Sequence, residues 1–585
     1  MIYFSDLLSI RPSKSVTFCK NESLLYILIN PSIKMKAFLI LLFCGFTLQL
    51  TAQSTTVSTK DWQDDLKFLQ NTVHTDYSFL FKKTTETEFN SAVDKLYKDI
   101  PNLQEHEIIV GFAKLVSSFK YGHTVLGFRN IEGKFHQLPI NLYHFSDGVY
   151  IQGAHKQYSE AVGAKVVAVA GMPIEDALKA IYPVVPVENE QFFKAYGLRY
   201  LLSPEILHAQ GVLTEYSKTV EFTLEKEGRT FNLAFNALPG DQQAKLSYGF
   251  MQQDGDWLDA RSQDETPLYL KNLDKIYYYE YIPEKKTVYV RQSQIQDDPS
   301  ENIPAFYDRV FDFIENNDVE RLVIDVRLNG GGNNYKNKAV ITRIIESKKI
   351  NTVGNLYVII GRRTFSACQN LVNEMDNYTN AIFIGEPTAE NVNFYGDNRR
   401  VDLPNSKIPV YLSFAWWQDK PQWEGAPWTA PHIALEMSFE DYQTNRDPVL
   451  EASLSFSDSE FVLDPMRYMT DLYMAGDMEK LQTEAVRMVN DPAYRFFDFE
   501  GELNQAGYNM LGSGQNEQAV AVFSFVTQLF PESASAWDSL AEGYLKAGQK
   551  EKAIEYYNKA LSMDPNGATG KNASKMLKTI AEGHN

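Results

Sequence analysis

The stretches RLVIDVRLNGGGNN, residues 321–334, and LYVIIGRRTFSACQNLVNEM, residues 356–375, decide the fold of this chain. In the first, an apolar, β-branched run ends at a polar turn that contains three consecutive glycines, residues 330–332. In the second, an apolar run leads through a turn to Ser366, which stands before a helical pattern. Short apolar runs that alternate with helical segments predict parallel strands. The glycine turn and Ser366 are therefore expected side by side at the carboxyl edge of a sheet.

Backbone amides beside a serine hydroxyl are the groups that acyl-transfer chemistry uses. The alternative for Ser366 is a plain N-cap, since serine is among the commonest residues at that position. From about residue 266 to residue 454, strands and helices alternate, which predicts crossover connections and a largely parallel sheet. This part of the chain is the candidate catalytic domain.

The N-terminal part of the chain has two different characters. Apolar residues recur at helical spacing over residues 60–119, and this pattern ends at KYGHT, where His123 begins a predicted short strand over 124–128. Residues 134–240 have β character, and GAKVVAVAGMPIEDALKAI, residues 163–181, resembles part of a PDZ domain, a module that binds extended peptides. An ordinary α/β insertion is the alternative. Residues 241–265 are polar and are predicted to form a linker or surface loop.

The C-terminal tail repeats itself. One unit places apolar and small residues at Trp537, Leu540, Ala541, Tyr544, Ala553, Tyr557, Ala560 and Pro565. The same positions 34 residues earlier are Leu503, Ala506, Gly507, Met510, Ala519, Phe523, Val526 and Pro531. This spacing is typical of tetratricopeptide (TPR) helix pairs. Because three units are usually needed for a stable stack, residues 462–498 are expected to add a helical pair or to pack the array onto the core.

The net charge and an N-terminal sequence pattern bear on nucleic-acid binding and on the location of the protein. The formal net charge of −19 argues against nucleic acid, because phosphate binding needs concentrated Lys and Arg. Residues 35–53, MKAFLILLFCGFTLQLTAQ, have the lysine-flanked start, apolar run and small-residue end of a secretory signal peptide. The apolar run is short for a transmembrane anchor, which needs about 20 residues. Cleavage near Ala52 or Gln53 would give an exported protein, periplasmic or extracellular, with no stable membrane span.

No metal or cofactor is predicted. The nine histidines do not occur at metal-ligand spacings such as HExxH. Cys368 would be the one cysteine left after signal cleavage, and it is expected to pack beneath a helix rather than to react.

The segments IDVRLNGGG, RTFSACQN and AIFIGEPT, in this order, resemble motifs of the tail-specific or C-terminal processing proteases, peptidase family S41. The resemblance covers roughly residues 266–454, and the upstream GHT fits a further family element. It implies an S41-type α/β catalytic domain with a ClpP/crotonase-like fold and serine-type endopeptidase activity. Ser366 matches the family nucleophile. Gly331 matches the oxyanion-hole glycine, and the amide of Ala367 would be the second donor.

The general base is where the sequence departs from the best-known branch of that family. The lysine of that branch would fall about 25 residues after the serine, where this chain has Asn391. Another branch, similar to the tricorn core protease, uses histidine and glutamate. His123 matches its histidine, and Glu424, 58 positions after Ser366, matches its acid. A histidine can take the serine proton and a carboxylate can orient it. The alternatives are a structural His123 and a solvated Glu424.

Further candidates surround these residues. Gly332, Tyr395 and Trp417 are candidates for substrate contact, with an aromatic core cluster as the alternative for the two rings. Asp325 and Arg327 are expected to brace the glycine turn rather than to perform chemistry.

Taken together, these patterns predict a multidomain α/β protein. The expected parts are an upstream extension and signal peptide (1–53), an N-terminal helical region (54–122), a β-rich, PDZ-like or α/β insertion (123–265), an S41-like catalytic domain (266–457), a helical connector (458–499) and an all-α TPR array (500–585). We expect an exported peptidase that hydrolyses peptides or protein tails by a Ser-His-Glu mechanism, with a protein partner for the TPR repeats. The alternatives are a non-catalytic peptide- or ligand-binding protein on the same fold and an esterase-like serine hydrolase.

Overall fold

The computed structural model describes residues 57–582, except for residues 132, 240, 241, 244 and 457–460. The predicted upstream extension and signal peptide lie outside this part of the chain. Within it, none of the helices has both the length and the apolar character required to span a bilayer.

A six-stranded sheet, here called the central sheet, organises the middle of the chain. Its strands, in spatial order, are Tyr277–Ile282, Thr287–Gln292, Arg321–Asp325, Leu356–Ile360, Ile382–Gly385 and Ile433–Ala434. The first pair is antiparallel and every other pair is parallel. The alternation of strands and helices therefore predicts this sheet correctly.

Both faces of the central sheet are buried, because alternate side chains of each strand enter two separate cores. On one face they pack with the helices Ile303–Asn316, Asn337–Glu346 and Ala367–Tyr378. On the other face they pack with the helix Pro448–Ser455. Burial on both sides explains why the inner strands Arg321–Asp325, Leu356–Ile360 and Ile382–Gly385 are mainly apolar, without polar alternation.

The N-terminal region is helical, as its periodicity predicts. The helices are Thr59–Asp76, Glu86–Asp99 and Glu105–Ser117. The prediction of a strand over 124–128 is wrong. Val125 forms one isolated bridge with Tyr411, and the Oγ1 atom of Thr124 lies 2.8 Å from the hydroxyl of Ser413. Residues 124–125 therefore contact the edge of the strand Pro409–Trp417 but do not form a strand of their own.

The next region forms a separate antiparallel sheet, here called the insertion sheet. Its strands are Ile140–Phe145, Gly148–His155, Lys165–Val169, Met172–Pro173, Thr219–Lys226, Arg229–Asn236 and Trp257–Asp259. The predicted strand, turn and helix over 163–181 are present, with the helix at Ile174–Ile181. The prediction of a linker over 241–265 is wrong in part, because Trp257–Asp259 pairs with Gly148–His155.

A two-stranded ribbon and a helical array complete the chain. The ribbon, here called the hairpin, pairs Phe394–Asp402 with Pro409–Trp417. The helices of the array are Pro465–Ala475, Met478–Asn490, Phe499–Gly512, Asn516–Leu529, Ala534–Lys546, Lys550–Met563 and Ala568–Ala581. The predicted helical pair within 462–498 is present, and its Met469, Ala485 and Met488 pack in one cluster with Leu503 and Val526 of the repeats.

Candidate active site

Ser366 lies where the strand Leu356–Ile360 has ended and the helix Ala367–Tyr378 begins. Its backbone has φ 58° and ψ −128°, and its side chain forms no capping hydrogen bond with the helix. A positive φ is costly for a residue with a Cβ and persists only where the surroundings impose it. Such a strained turn between strand and helix is the geometry that presents the nucleophilic serine in α/β-hydrolases. The N-cap alternative therefore does not account for Ser366.

The glycine turn, residues 329–333, follows the neighbouring strand Arg321–Asp325 and touches Ser366. Gly331 has φ +99°, and a Cβ placed on it would lie 2.6 Å from the Cβ of Ser366 and 2.9 Å from the backbone nitrogen of Ala367. Only glycine allows this approach. The expectation that the turn and the serine lie side by side is met. The N–H of Gly331, however, donates to the Oδ1 of Asn329 at 3.0 Å, so it is engaged within the turn.

An ionic brace supports the turn from below. The guanidinium of Arg327 lies 2.9 Å from a carboxylate oxygen of Asp325 and 2.9 Å from one of Asp447. The hydroxyl of Tyr289 donates to Asp325 at 2.8 Å. Asp325, Asp447 and Tyr289 are all buried. This arrangement matches the bracing role that the sequence suggests for Asp325 and Arg327.

His123 comes from the far end of the N-terminal region and lies against the segment that carries the serine. Its ring stacks on Phe365, the residue before Ser366, with centroids 4.8 Å apart. The amide of Asn398 in the hairpin donates to its backbone carbonyl at 3.0 Å. Burial lowers the pKa of His123 below its usual 6.5, so the ring is neutral near pH 7 and has a nitrogen free to accept a proton.

Glu390 is the carboxylate that faces this histidine. Its Oε2 lies 3.6 Å from the Nε2 of His123, and the same oxygen accepts the backbone N–H of Ser366 at 2.8 Å. The side chain is fully buried, and burial raises the pKa of its carboxyl. The sequence patterns do not single out Glu390, although it follows the strand Ile382–Gly385 in the same motif, GEPTAEN, as Asn391. The strand before Glu390 pairs with the strand before Ser366. A carboxylate at that position was the sequence feature that could have indicated Glu390.

A second buried carboxylate, Glu188, lies beside Glu390. It accepts the backbone N–H of Gly122 at 2.8 Å and a hydrogen bond from the amide of Asn391. The Nζ of Lys83 lies 3.4 Å from it. Burial, together with the neighbouring Glu390, raises the pKa of Glu188. Asn391, the position at which the sequence resemblance would have placed a lysine, thus donates a hydrogen bond to a buried carboxyl group.

Glu424 does not lie at the histidine. Its side chain is 55% exposed and forms an ion pair with Lys82 at 3.3 Å and a hydrogen bond with Gln418 at 2.8 Å. Glu424 therefore contacts Lys82 and Gln418, whereas the carboxyl group that faces His123 is that of Glu390. Glu424 lies on the loop that follows the hairpin. This loop is directed towards Lys82 in the N-terminal region rather than towards His123.

The substrate-contact candidates have different surroundings. Tyr395 is buried among the rings of Phe79, Tyr121 and Trp416. That is the aromatic core cluster named as its alternative. Trp417 is partly exposed, packs across the hairpin on Gly396 and donates its indole N–H to Asp397 at 3.3 Å. Gly332 is exposed next to the buried Gly331, and its backbone pairs with Ile295.

Two further observations concern the chemistry of the site. Cys368 is fully buried in the core beneath the helix, and burial raises the pKa of its thiol far above the usual range, so it is not a nucleophile. Within the described residues, no group of three or more His, Cys, Asp or Glu side chains is arranged to hold a metal ion.

Solved structures similar to this chain include two of mature CPAF and the photosystem II D1 C-terminal processing protease. Mature CPAF has 14% identity and a TM-score of 0.47, over 69% of this chain and 99% of that protein. Its complex with lactacystin has 15% identity and a TM-score of 0.45, over 66% and 95%. The D1 processing protease has 14% identity and a TM-score of 0.34, over 69% and 99%.

Comparisons of sequence alone match a smaller part of the chain. None of the curated proteins matches it. Residues 534–566 match the tetratricopeptide repeat family model. The C-terminal array therefore contains a tetratricopeptide repeat, as the 34-residue period predicts.

Proposed function

We propose that the protein is a serine-type peptidase in which Ser366 is the nucleophile, His123 the general base and Glu390 the carboxylate that positions the base. One observation carries this proposal. A single oxygen of Glu390 lies 3.6 Å from the Nε2 of His123 and accepts the backbone N–H of Ser366 at 2.8 Å, so the histidine and a serine held at positive φ lie against the same carboxyl group.

In the proposed reaction, the hydroxyl oxygen of Ser366 attacks the carbonyl carbon of the scissile bond while its proton passes to His123. The tetrahedral intermediate expels the amine, which takes that proton from His123, and an acyl-enzyme remains. Water then attacks the acyl-enzyme while His123 takes its proton. The second tetrahedral intermediate breaks the ester bond, the carboxylic acid leaves, and the oxygen of Ser366 takes the proton back from His123. A neutral imidazole is required at the start, and the burial of His123 favours it.

The oxyanion of the intermediate needs donors beside Ser366. Ala367 occupies the first position of its helix, where backbone N–H groups have no acceptor within the helix, and the helix dipole favours negative charge there. We propose this N–H as one donor. Gly331 would be the second, on condition that its N–H exchanges the side chain of Asn329 for the oxyanion.

A non-catalytic peptide-binding protein is the second candidate, and the same contacts favour it in one respect. The N–H of Gly331 is occupied, and the Nε2 of His123 faces Glu390 without a hydrogen-bond partner in the described part of the chain. In that case the site would hold a peptide without cleaving it.

Labelling with a fluorophosphonate probe distinguishes the two candidates. We expect the wild type to be labelled, Ser366→Ala to lose labelling completely, and His123→Ala to label at least about a hundred times more slowly. A wild type that is not labelled would favour the binding protein. Labelling that survives in Ser366→Ala would overturn the nucleophile assignment.

Export and a protein partner belong to the same proposal. The signal-like pattern of residues 35–53 supports periplasmic or extracellular peptide substrates. The tetratricopeptide array supports recruitment of a protein, because stacked helix pairs form extended binding surfaces.

A further inference from the structure

Glu188, in the region that carries the insertion sheet, has a fully buried carboxyl group that the proposed reaction does not use. Chain neighbours of two site residues donate to it. The N–H of Gly122, the residue immediately before His123, donates to its Oε1 at 2.8 Å. The side-chain amide of Asn391, the residue immediately after Glu390, donates to its Oε2. One carboxyl group therefore joins the segment that carries the histidine to the segment that carries Glu390.

The loop that carries Glu188 is itself fixed to the catalytic part of the chain. The side-chain amide of the next residue, Asn189, donates to the backbone carbonyl of Thr388 at 3.2 Å and to that of Pro427 at 2.6 Å. The Oδ1 of Asn189 caps the short helix Glu190–Phe192. Glu188 is therefore held in place by contacts of its own loop as well as by its two donors.

Lys83 is the charged group that reaches Glu188 from the protein surface. It lies on the turn between the first two helices of the N-terminal region, and its Nζ lies 3.4 Å from the Oε2 of Glu188. The same Nζ donates to the backbone carbonyl of Lys120 at 3.0 Å and lies 4.5 Å from the centre of the Tyr121 ring. The side chain of Lys83 is 30% exposed, so its ammonium group stays charged while it contacts a buried acid.

The carboxyl groups of Glu188 and Glu390 form a buried pair. They lie within hydrogen-bonding distance of each other, and a hydrogen bond between two carboxyl groups requires that one of them holds a proton. The Oε1 of Glu390 is buried and has no other donor within the described residues. Burial raises the pKa of both carboxyl groups, and the positive charge of Lys83 acts in the opposite direction on each. The pH at which the pair gains its first negative charge therefore depends on Lys83.

Other titratable groups also face the pair. They are His123, Tyr121 and Tyr196. Burial keeps His123 neutral near pH 7, and a tyrosine carries no positive charge. Lys83 is therefore the cation that acts on the pair among these groups.

We infer that Glu188 and Lys83 are positioning residues for the reaction at Ser366. Glu188 holds His123 and Glu390 against each other through the residues next to them, and Lys83 stabilises the negative charge that the carboxyl pair presents to His123. That charge stabilises the imidazolium that forms when the serine proton is taken, so ionisation of the pair accelerates the reaction. The inference rests on the proposed function for the roles of Ser366, His123 and Glu390. It gives the N-terminal helices and the insertion a part in the chemistry, because each supplies one of the two residues.

The pH profile of fluorophosphonate labelling tests Lys83. The wild type is expected to label faster above a step near pH 8, where the pair ionises. Lys83→Met removes the cation and is expected to move this step to a pH at least about one unit higher, which is a tenfold change in the ionisation constant. Lys83→Arg keeps the charge and is expected to keep the step. Lys82→Met is the control, because Lys82 is adjacent in sequence but pairs with the exposed Glu424 at 3.3 Å.

Substitution of Glu188 tests the coupling. Glu188→Met removes the acceptor that Gly122 and Asn391 share, and it is expected to slow labelling above the step at least about tenfold. Glu188→Gln keeps an acceptor oxygen and is expected to recover part of the rate. In the Glu188→Met background, Lys83→Met is expected to move the step less than half as far as in the wild type, because the contact between the two side chains is already lost.

Infrared spectroscopy follows the same ionisation without any reaction. The absorption of protonated carboxyl groups is recorded against pH in the full chain carrying Ser366→Ala, with and without Lys83→Met. The spectrum of the corresponding Glu390→Gln protein is subtracted, which isolates the contribution of Glu390. We expect the same upward move of the step as in the labelling profile. Thermal unfolding of each variant confirms that it is folded.

Three results would overturn the inference. They are a Lys83→Met step that stays at the wild-type pH, an equal move of the step in Lys82→Met, and a Glu188→Met protein that labels at the wild-type rate. A wild type that is not labelled at any pH would refute the peptidase proposal instead, and the infrared step would still show whether Lys83 sets the charge opposite His123. The two failures are therefore distinguishable.

Discussion

The Oε2 of Glu390 lies 3.6 Å from the Nε2 of His123, although the two residues are 267 positions apart in the sequence. The same oxygen holds the backbone N–H of Ser366 at 2.8 Å. A buried carboxylate in this position can orient the imidazole and stabilise the imidazolium that forms when the serine proton is taken.

Burial raises the pKa of the Glu390 carboxyl to about 8. Above that pH, Glu390→Gln is therefore expected to slow fluorophosphonate labelling by about 10²- to 10⁴-fold, because the amide keeps the size of the side chain but removes its negative charge. Glu424→Gln is the matched control and should label at the wild-type rate, since Glu424 is exposed and paired with Lys82. The second-order labelling rate checks both variants. A loss in Glu424→Gln with none in Glu390→Gln would restore the assignment made from sequence spacing.

The pH dependence of labelling should report His123. The base acts in its neutral form, so the rate falls when pH drops through the pKa of the imidazole. Burial lowers that pKa, and Glu188 and Asp397 offset the effect only in part. We therefore expect the His123 limb of the rate profile to have its midpoint below pH 6.5, separate from the step near pH 8 at which Glu390 ionises. His123→Ala should lack this limb, and a wild-type midpoint above 6.5 would contradict a buried neutral histidine.

Gly331→Ala should impair the site through sterics alone. The added Cβ would meet the Cβ of Ser366 at 2.6 Å and would sit on a residue with φ +99°. We expect labelling to fall by at least about a hundredfold and the free energy of unfolding to drop by ~1–3 kcal/mol. Gly171→Ala is the control, because Gly171 also has positive φ (+78°) but a Cβ on it would meet nothing within 4 Å. If both variants label equally slowly, the close approach to Ser366 is not the cause.

A pair of glycines in one helix tests the packing of the tetratricopeptide array. A Cβ on Gly507 would lie 2.4 Å from the ring of Phe523 in the next helix, whereas a Cβ on Gly512 would meet nothing within 4 Å. Gly507→Val is expected to destabilise the array by ~2–4 kcal/mol, and Gly512→Val by less than ~1 kcal/mol. Hydrogen exchange of residues 499–581 measures the difference. Equal protection in the two variants would show that the helices do not pack as described.

Several features of the fold can be predicted from local sequence. The strands of the central sheet are β-branched runs buried on both faces, and their period and flanking turns identify them without any knowledge of contacts. The tetratricopeptide helices repeat every 34 residues, so small residues such as Gly507 and Gly543 mark where helices touch Phe523. The position of Ser366 beside the glycine turn follows in the same way, because neighbouring parallel strands bring their carboxyl ends together.

The partners of Ser366 could not be predicted in this way, because they depend on distant segments. Linear spacing selected Glu424, but the loop that carries it packs towards Lys82 and leaves it exposed. Glu390 and Glu188 owe their roles to burial against His123, Gly122 and Asn391, which no local pattern encodes. By itself the sequence determined the central sheet, the glycine turn, the serine and the helical repeats, since these depend on short-range periodicity and turn chemistry. Only the tertiary structure decided which carboxylates surround the histidine, because the placement of charges in a buried site depends on desolvation and on distances between segments far apart in the chain.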